Sequence, residues 1–214
     1  MTMARISPQP TSDYSSVVLA ALGALRPPKG SAPASPKRET PLGRPKGMNV
    51  LGTLARHPEL AQAYLSFNRH ILFTSSLSDR QRELLILRVA RLRNCAYEWA
   101  QHVVLGADAG LSDEEIVRIS QGPEALGWDA MDRSLLRAAD ELIADAEINS
   151  DTWVELAQHL DEHQLMDVVF TVGCYEMLAM AFRSFGVELD ADLVVYAPHG
   201  PGWDAIGGSS DEFR

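Results

Sequence analysis

The sequence predicts an all-α fold. Three observations carry the prediction. Apolar residues recur at helical spacing almost throughout from residue 48 onward. Helix-start signals stand immediately ahead of several of those runs. No alternating apolar and polar run bounded by turn residues argues for a strand.

The elements follow in chain order. Ser12 to Leu25 reads as a short amphipathic helix whose Val17, Leu19, Leu22 and Leu25 need a surface to cover. Residues 27–47 read as an extended linker or wrapping arm. Eight of the twelve prolines fall within residues 1–47, and each proline removes a backbone donor and pushes its predecessor out of helical space. That stretch also carries Arg5, Arg26, Lys29, Lys37, Arg38, Arg44 and Lys46 against Asp13 and Glu39, a net +5 that leaves -15 for the rest. A flexible leader is the simpler reading, a segment laid across a neighbouring subunit the sharper one. Pro58 suits a first helical position and opens the helix PELAQAYLSFNRHILF. Ser78 with Gln81, and Ser112 with Glu115, have capping-box spacing, in which two side chains satisfy free backbone donors of the first turn. Gly110 can take the left-handed conformation that ends the helix before Ser112. Asp129 to Ala146 and Asn149 to Leu160 predict two further helices. Asp161 to Phe185 predicts a long one, stopped by Gly186. Its Met166, Val169, Phe170, Val172, Cys174, Leu178 and Phe182 cover more than one face, so it is expected to be central and buried. The resulting division is a proline-rich N-terminal arm at 1–47, a helical domain at 48–197 and a flexible tail at 198–214.

Composition narrows the function. Hydrophobic residues make up 46% and charged residues 22%, an ordinary globular balance. A net charge of -10 argues against a nucleic-acid partner, because phosphate binding needs a concentrated positive surface. No uninterrupted apolar stretch is long enough for a membrane span, and the first ten residues lack the pattern of a secretory signal. Cys95 and Cys174 are too sparse for a disulfide framework and fit a reducing compartment, so the cytoplasm is expected.

The stretch from Arg82 to His102 holds the chemistry. On a helix running on from Cys95, the groups Cys95, Glu98 and His102 stand at i, i+3 and i+7, within about 60° of one another. That face offers a thiol, which is a nucleophile once deprotonated, an imidazole, which moves protons near neutrality, and a carboxyl to orient it or act beside it. The plainer alternative gives each group a packing or surface role: a lone buried Cys is usually a small hydrophobe, and Glu and His four apart usually form a weak surface pair. No second His pairs with His102 at ligand spacing, and no phosphate-binding glycine loop occurs, so neither metal nor cofactor is expected. His57, His70, His159, His163 and His199 read as surface or structural groups.

The same stretch resembles the active-site signature of the carboxymuconolactone decarboxylase family, within the alkylhydroperoxidase D-like superfamily. Peroxidase members carry Glu, then Cys-x-x-Cys twelve residues later, then His four residues on. Here Glu83 precedes Cys95 by twelve, Glu98 takes the second-cysteine position, and His102 follows four later. Segments 49–58, 82–88, 107–112, 136–142 and 164–167 are similar to the family as well, so the resemblance covers about residues 48–190. It implies an alkylhydroperoxidase D-like helical bundle that forms homo-oligomers, trimers or hexamers. Glu98 cannot resolve a sulfenic acid, and Cys174 lies on an apolar helix. The resemblance therefore implies cofactor-free decarboxylase or isomerase chemistry on a small carboxylated lactone or related organic acid. His102 and Glu98 would shuttle the proton, Glu83 would orient them, and Cys95 would line the pocket with an optional catalytic role. Tyr97 and Arg88 are the substrate-binding candidates, Arg88 sharing with Arg82, Arg91 and Arg93 the ability to hold a carboxylate through two bonds. A thiol-dependent hydroperoxide reductase using Cys95, and a non-enzymatic ligand-binding oligomer, are the alternatives. Glu176 is expected either in the same cavity or paired with Arg183.

Overall fold

The structure is a computed structural model and describes residues 4–28, 46–199 and Trp203. Most of the expected linker at 27–47 and most of the tail lie outside the described residues. Among the described residues there are helices and short 3-10 turns but no strand. The helices are α1 (Ser16–Leu22), α2 (Met48–Leu54), α3 (Pro58–Phe73), α4 (Asp79–Leu92), α5 (Ala96–Asp108), α6 (Asp113–Gln121), α7 (Ala130–Asp145), α8 (Ser150–Ala157) and α9 (Glu162–Phe185).

The start signals act as the sequence predicts. Ser78 and Ser112 each accept from the backbone N–H three residues on, while Gln81 and Glu115 reach back, so both capping boxes form. Asp161 and Gln164 make a third at the head of α9. A cap of this kind contributes about 1 kcal/mol. Gly186 ends α9 at φ 67°, in the region where a Cβ is unwelcome.

The central helix is α4, not α9 as expected. Nine consecutive residues of α4, Arg82 to Ala90, are buried, and α5, α6, α7 and α9 all pack against it. Its charged residues disguise this in the sequence. Arg88 and Arg82 are buried because each has a carboxylate to meet, which is the condition for burying a charge. α9 buries Leu165, Val168, Val172, Cys174, Tyr175, Leu178, Ala179 and Phe182, yet leaves Met166, Val169, Phe170, Met177 and Met180 exposed. By length and composition α9 is also apolar enough to cross a bilayer, contrary to the expectation, although 56% of its most apolar window is buried among the other helices.

The N-terminal segment lies on the body. Its Arg5 and Ile6 N–H groups donate to the Phe185 carbonyl, and Gln9 N–H donates to the Gly52 carbonyl. A Cβ on Gly52 would stand 2.7 Å from Pro8 Cβ and 2.9 Å from the Gln9 carbonyl oxygen, so only glycine admits this crossing. α1 then packs on α3, where Ala21 meets Ala61 and Leu65, and Val18 is buried as well. Val17 and Leu19, expected on the covered face, are instead exposed, because Val18 and Ala21, three residues apart, form the buried side of the helix.

Candidate active site

Glu83 is fully buried on α4. One of its oxygens accepts from both Nε and Nη2 of Arg82 at 3.1 Å, and the other meets His102 Nδ1 at 2.7 Å. Arg82 is itself held by Asp79 at 2.6 Å. A carboxylate at Nδ1 fixes that nitrogen as the N–H donor and leaves Nε2 of the neutral ring as the acceptor. The Tyr175 ring stands edge-on to the imidazole, 4.9 Å between centroids. Gly106 lets α5 approach α4 closely: a Cβ there would lie 3.2 Å from Leu87 Cδ1 and 3.8 Å from Glu83 Cβ.

Glu98 lies one turn before His102 on α5 and is 1% exposed. Neither of its oxygens has a hydrogen-bond partner. Burial pushes its carboxyl well above the usual carboxylate range; the nearby Cys95 thiol opposes the rise, and Glu176 adds to it. With no bond of acceptable geometry to that thiol, burial wins and Glu98 holds its proton.

Both groups face one cavity of about 180 Å³. Its wall is mainly apolar and aromatic: Val50, Leu51 and Leu54 of α2, Tyr64, Leu65 and Leu72 of α3, and Tyr175, Leu178 and Phe182 of α9. Tyr97, Glu98, Gln101 and His102 of α5, with Asn68 of α3, supply the polar positions, and exposed Lys46 stands on the rim. The Tyr64 and Tyr175 hydroxyls are pushed well above their ordinary range, chiefly by burial, and stay protonated.

Glu98, His102 and Tyr97 are therefore brought together in the wall, with Glu83 behind His102. Glu83, Cys95 and Arg88 are not among the lining residues. Cys95 is the N-cap of α5 rather than part of its helical face. The turn from α4 passes through Asn94 at φ 48°, a left-handed conformation that Asn tolerates better than most residues. Burial pushes the Cys95 thiol well up, with Arg183 only partly opposing it, so the thiolate is disfavoured. Arg88 grips Asp140 with two bonds, at 2.5 and 2.8 Å, and donates to the Ile119 carbonyl. It ties α4 to α7 and α6 rather than holding a substrate. Glu176 pairs with Arg93 at 2.6 Å, and Arg183 donates instead to the Arg93 carbonyl. Burial lifts the Cys174 thiol to about 12, and both cysteines are free. Tyr97 is tethered by its hydroxyl, which donates to Asp190 at 2.6 Å. Among the described residues, no three His, Cys, Asp or Glu side chains converge as metal ligands.

Gln101, Tyr64, Asn68, Tyr175 and Lys46 are the residues that sequence reasoning missed. Gln101 carried a signal, one position before His102 in the motif. The tyrosines and Asn68 carried none, since they come from helices far away in the chain.

Residues 58–141 match the model of the carboxymuconolactone decarboxylase family. No curated protein matches the sequence. Among solved structures, a protein of unknown function from Agrobacterium tumefaciens, a candidate antioxidant-defence AhpD, aligns at TM-score 0.60 and 21% identity over 64% of this chain and 95% of that one. The alkylhydroperoxidase AhpD core of an uncharacterised peroxidase-related protein from Ralstonia eutropha JMP134 aligns at 0.63 and 15% over 69% and 79%. The debrominase Bmp8, as a cysteine-to-alanine variant in complex with 2,3,4-tribromopyrrole, aligns at 0.68 and 12% over 91% and 96%. At these identities the structures speak for the fold. The family match runs from the first residue of α3 into α7, across Glu83, Glu98 and His102, and the chain has the AhpD-like helical fold.

Proposed function

We propose that the protein is a cofactor-free acid–base enzyme of the decarboxylase or isomerase kind, acting on a small lactone or related organic acid. One observation carries the reading: His102, held from behind by its 2.7 Å hydrogen bond to Glu83, lines the same cavity as Glu98 with its buried, unpartnered carboxyl. One fold thus holds an oriented base and a protonated acid, the separation that acid–base catalysis needs. In decarboxylation the bond to the carboxyl carbon breaks and its electron pair passes into a neighbouring substrate carbonyl as an enolate. The Glu98 O–H then delivers a proton to the carbon, and Glu98 regains one from water. In isomerisation Nε2 of His102 removes the proton and Glu98 returns one. Lys46 on the rim, rather than Arg88, is the cation placed to meet a substrate carboxylate. In this reading the protein works in the cytoplasm, where its two free thiols suit a reducing environment. It assembles as a homo-oligomer through the exposed apolar face of α9.

Turnover of carboxylated lactones and keto acids tests the reading. His102→Ala and Glu83→Gln are expected to lower kcat by about 10²–10⁴. The competing reading, thiol-dependent hydroperoxide reduction, has the peroxidase-related fold neighbours in its favour and the buried, proton-holding Cys95 against it. Intact mass after organic hydroperoxide decides between them. Rapid oxygen gain at Cys95 with catalytic recycling by added thiol overturns the acid–base assignment.

A further inference from the structure

Glu98 and His102 are 1% and 5% exposed, so a ligand reaches them only when part of the cavity wall moves aside. We propose that the first turn of α2 is the movable part of that wall, and that Asp190, which ties this turn to Tyr97, is the latch that holds it shut. The inference goes beyond the acid–base reading and does not depend on the reaction, since any ligand of the cavity has to enter it.

Exposure locates the mouth. Of the described residues that line the cavity, Lys46 alone is exposed, and Gly47, Val50 and Leu51 follow it in the wall. The wall contributed by α5 and α9 is fixed: Tyr97, Tyr175, Leu178 and Phe182 are buried, and both helices pack on α4.

α2 is held by its surroundings rather than by itself. Its seven residues are too few for a helix stable in isolation. Its N-cap is Gly47, at φ 65°, which has no side chain to satisfy the free N–H groups of the first turn. Its buried residues are Gly52 and Thr53, both in the second half, and α3 is its principal helical neighbour.

The missing cap comes from far along the chain. Asp190 Oδ1 accepts from the Asn49 N–H at 2.9 Å, and Oδ2 accepts from the Tyr97 hydroxyl at 2.6 Å. The Asn49 side-chain amide donates to the Glu188 carbonyl at 2.9 Å. Asp190 is itself fixed to the body, because Leu193 just beyond it is fully buried and the 3-10 turn Val194–Tyr196 packs on α5. The second half of α2 is pinned separately. Gln9 N–H donates to the Gly52 carbonyl, Arg56 Nε donates to the Ser7 carbonyl, and Ala55 is buried at the turn into α3. The helix is thus anchored from Gly52 onward and latched at Asn49. Release of Asn49 frees the first turn, with Lys46, Gly47, Val50 and Leu51, to swing off the mouth.

Amide hydrogen exchange and ¹⁹F NMR of the full chain with fluorobenzene test the latch. Fluorobenzene is a single ring suited to a largely apolar cavity of about 180 Å³. In the native chain the Leu51 amide, bonded to the Gly47 carbonyl, is expected to exchange at least about tenfold faster than the buried amides of α4. Asp190→Ala is expected to speed Leu51 exchange about tenfold further, and to raise the entry and exit rates of fluorobenzene by a similar factor, with its Kd and the α4 amides little changed. Asp190→Asn keeps an acceptor for the Asn49 N–H and is expected to stay within about threefold of the native rates. Tyr97→Phe removes one arm of the latch without touching the backbone and is expected to act in the same direction as Asp190→Ala, by about threefold, even if the latter does not fold. Leu51 and α4 amides that exchange together, fluorobenzene that does not bind, or entry at the native rate in the latch variants overturns the proposal. Neither measurement needs turnover, so the latch and the acid–base reading fall separately.

Discussion

Glu98 holds a carboxyl in the interior without a partner, whereas Glu83 and Arg88 nearby are each paired. That difference has a thermodynamic consequence. Its folded pKa is raised well above the unfolded value of about 4.3, chiefly by burial. The favourable contribution of the protonated form is fully present below the unfolded value and is lost as pH rises through the folded one. Glu98→Gln has no proton to hold, so its melting temperature should climb relative to the native chain as pH increases above about 4.3. Thermal unfolding of both chains between about pH 4 and 8 measures this; a constant difference would show that Glu98 is ionised in the fold. Glu98 and His102 are legible in the sequence because one helical face fixes their spacing, and Glu83 through the resemblance to the family's signature. The same logic misplaces Cys95, since the helix starts one residue after it. Gln101, Tyr64 and Tyr175 complete the cavity across helix packing, which spacing along the chain does not encode.

At the scale of elements, the helix boundaries are the most readable feature, because Ser78, Ser112 and Asp161 announce them chemically. The ranking of burial is less readable. α4 looks amphipathic by its charges yet lies at the centre, because Arg88 finds Asp140 and Arg82 finds Glu83 only after folding. One unforeseen tie is Asp167 of α9. It meets His70 at 2.9 Å and accepts from Ser76 N–H, Ser76 Oγ and Ser75 Oγ, fastening the α3–α4 turn to α9. Burial alone would raise its pKa; the hydrogen bonds from His70, Ser76 and Ser75 more than offset that and lower it. A lowered folded pKa means stability that is present above the unfolded value of about 3.9 and is lost as pH falls through the folded one. Asp167→Ala leaves the Ser76 N–H without its acceptor and should cost about 1–3 kcal/mol. Denaturant unfolding checks it, and the deficit should shrink in acid; an undiminished deficit at low pH would assign the loss to packing instead.

At the scale of the whole molecule, one geometry accounts for both the sequence of α9 and its membrane-like composition: a helix apolar all round has two faces to cover, and a single chain covers one. Met166, Val169, Phe170, Met177 and Met180 are between 37% and 57% exposed, and their spacing places them along one side of α9 with Gly173 between them. A Cβ on Gly173 would meet nothing within 4 Å, so a partner helix has room for close approach there. Phe170 is already propped edge-on against Phe67 of α3, 6.2 Å away, which extends the surface beyond one helix. Contiguous exposed apolar surface of this kind marks an interaction site, and methionine suits it by adapting to its neighbour. The proposed occupant is a second copy of the chain, burying this face against its equivalent. Light scattering coupled to gel filtration should then give a mass well above the 23.5 kDa of one chain. Phe170→Glu with Met177→Lys should shift it toward the monomer, because charges at the centre of a desolvated contact are costly. The cavity residues lie on the opposite, buried side of α9, through Tyr175, Leu178 and Phe182. Dissociation should therefore leave Glu83 and His102 bonded and weaken turnover less than His102→Ala does. A native chain that runs as a monomer would remove the assembly and leave the acid–base site standing.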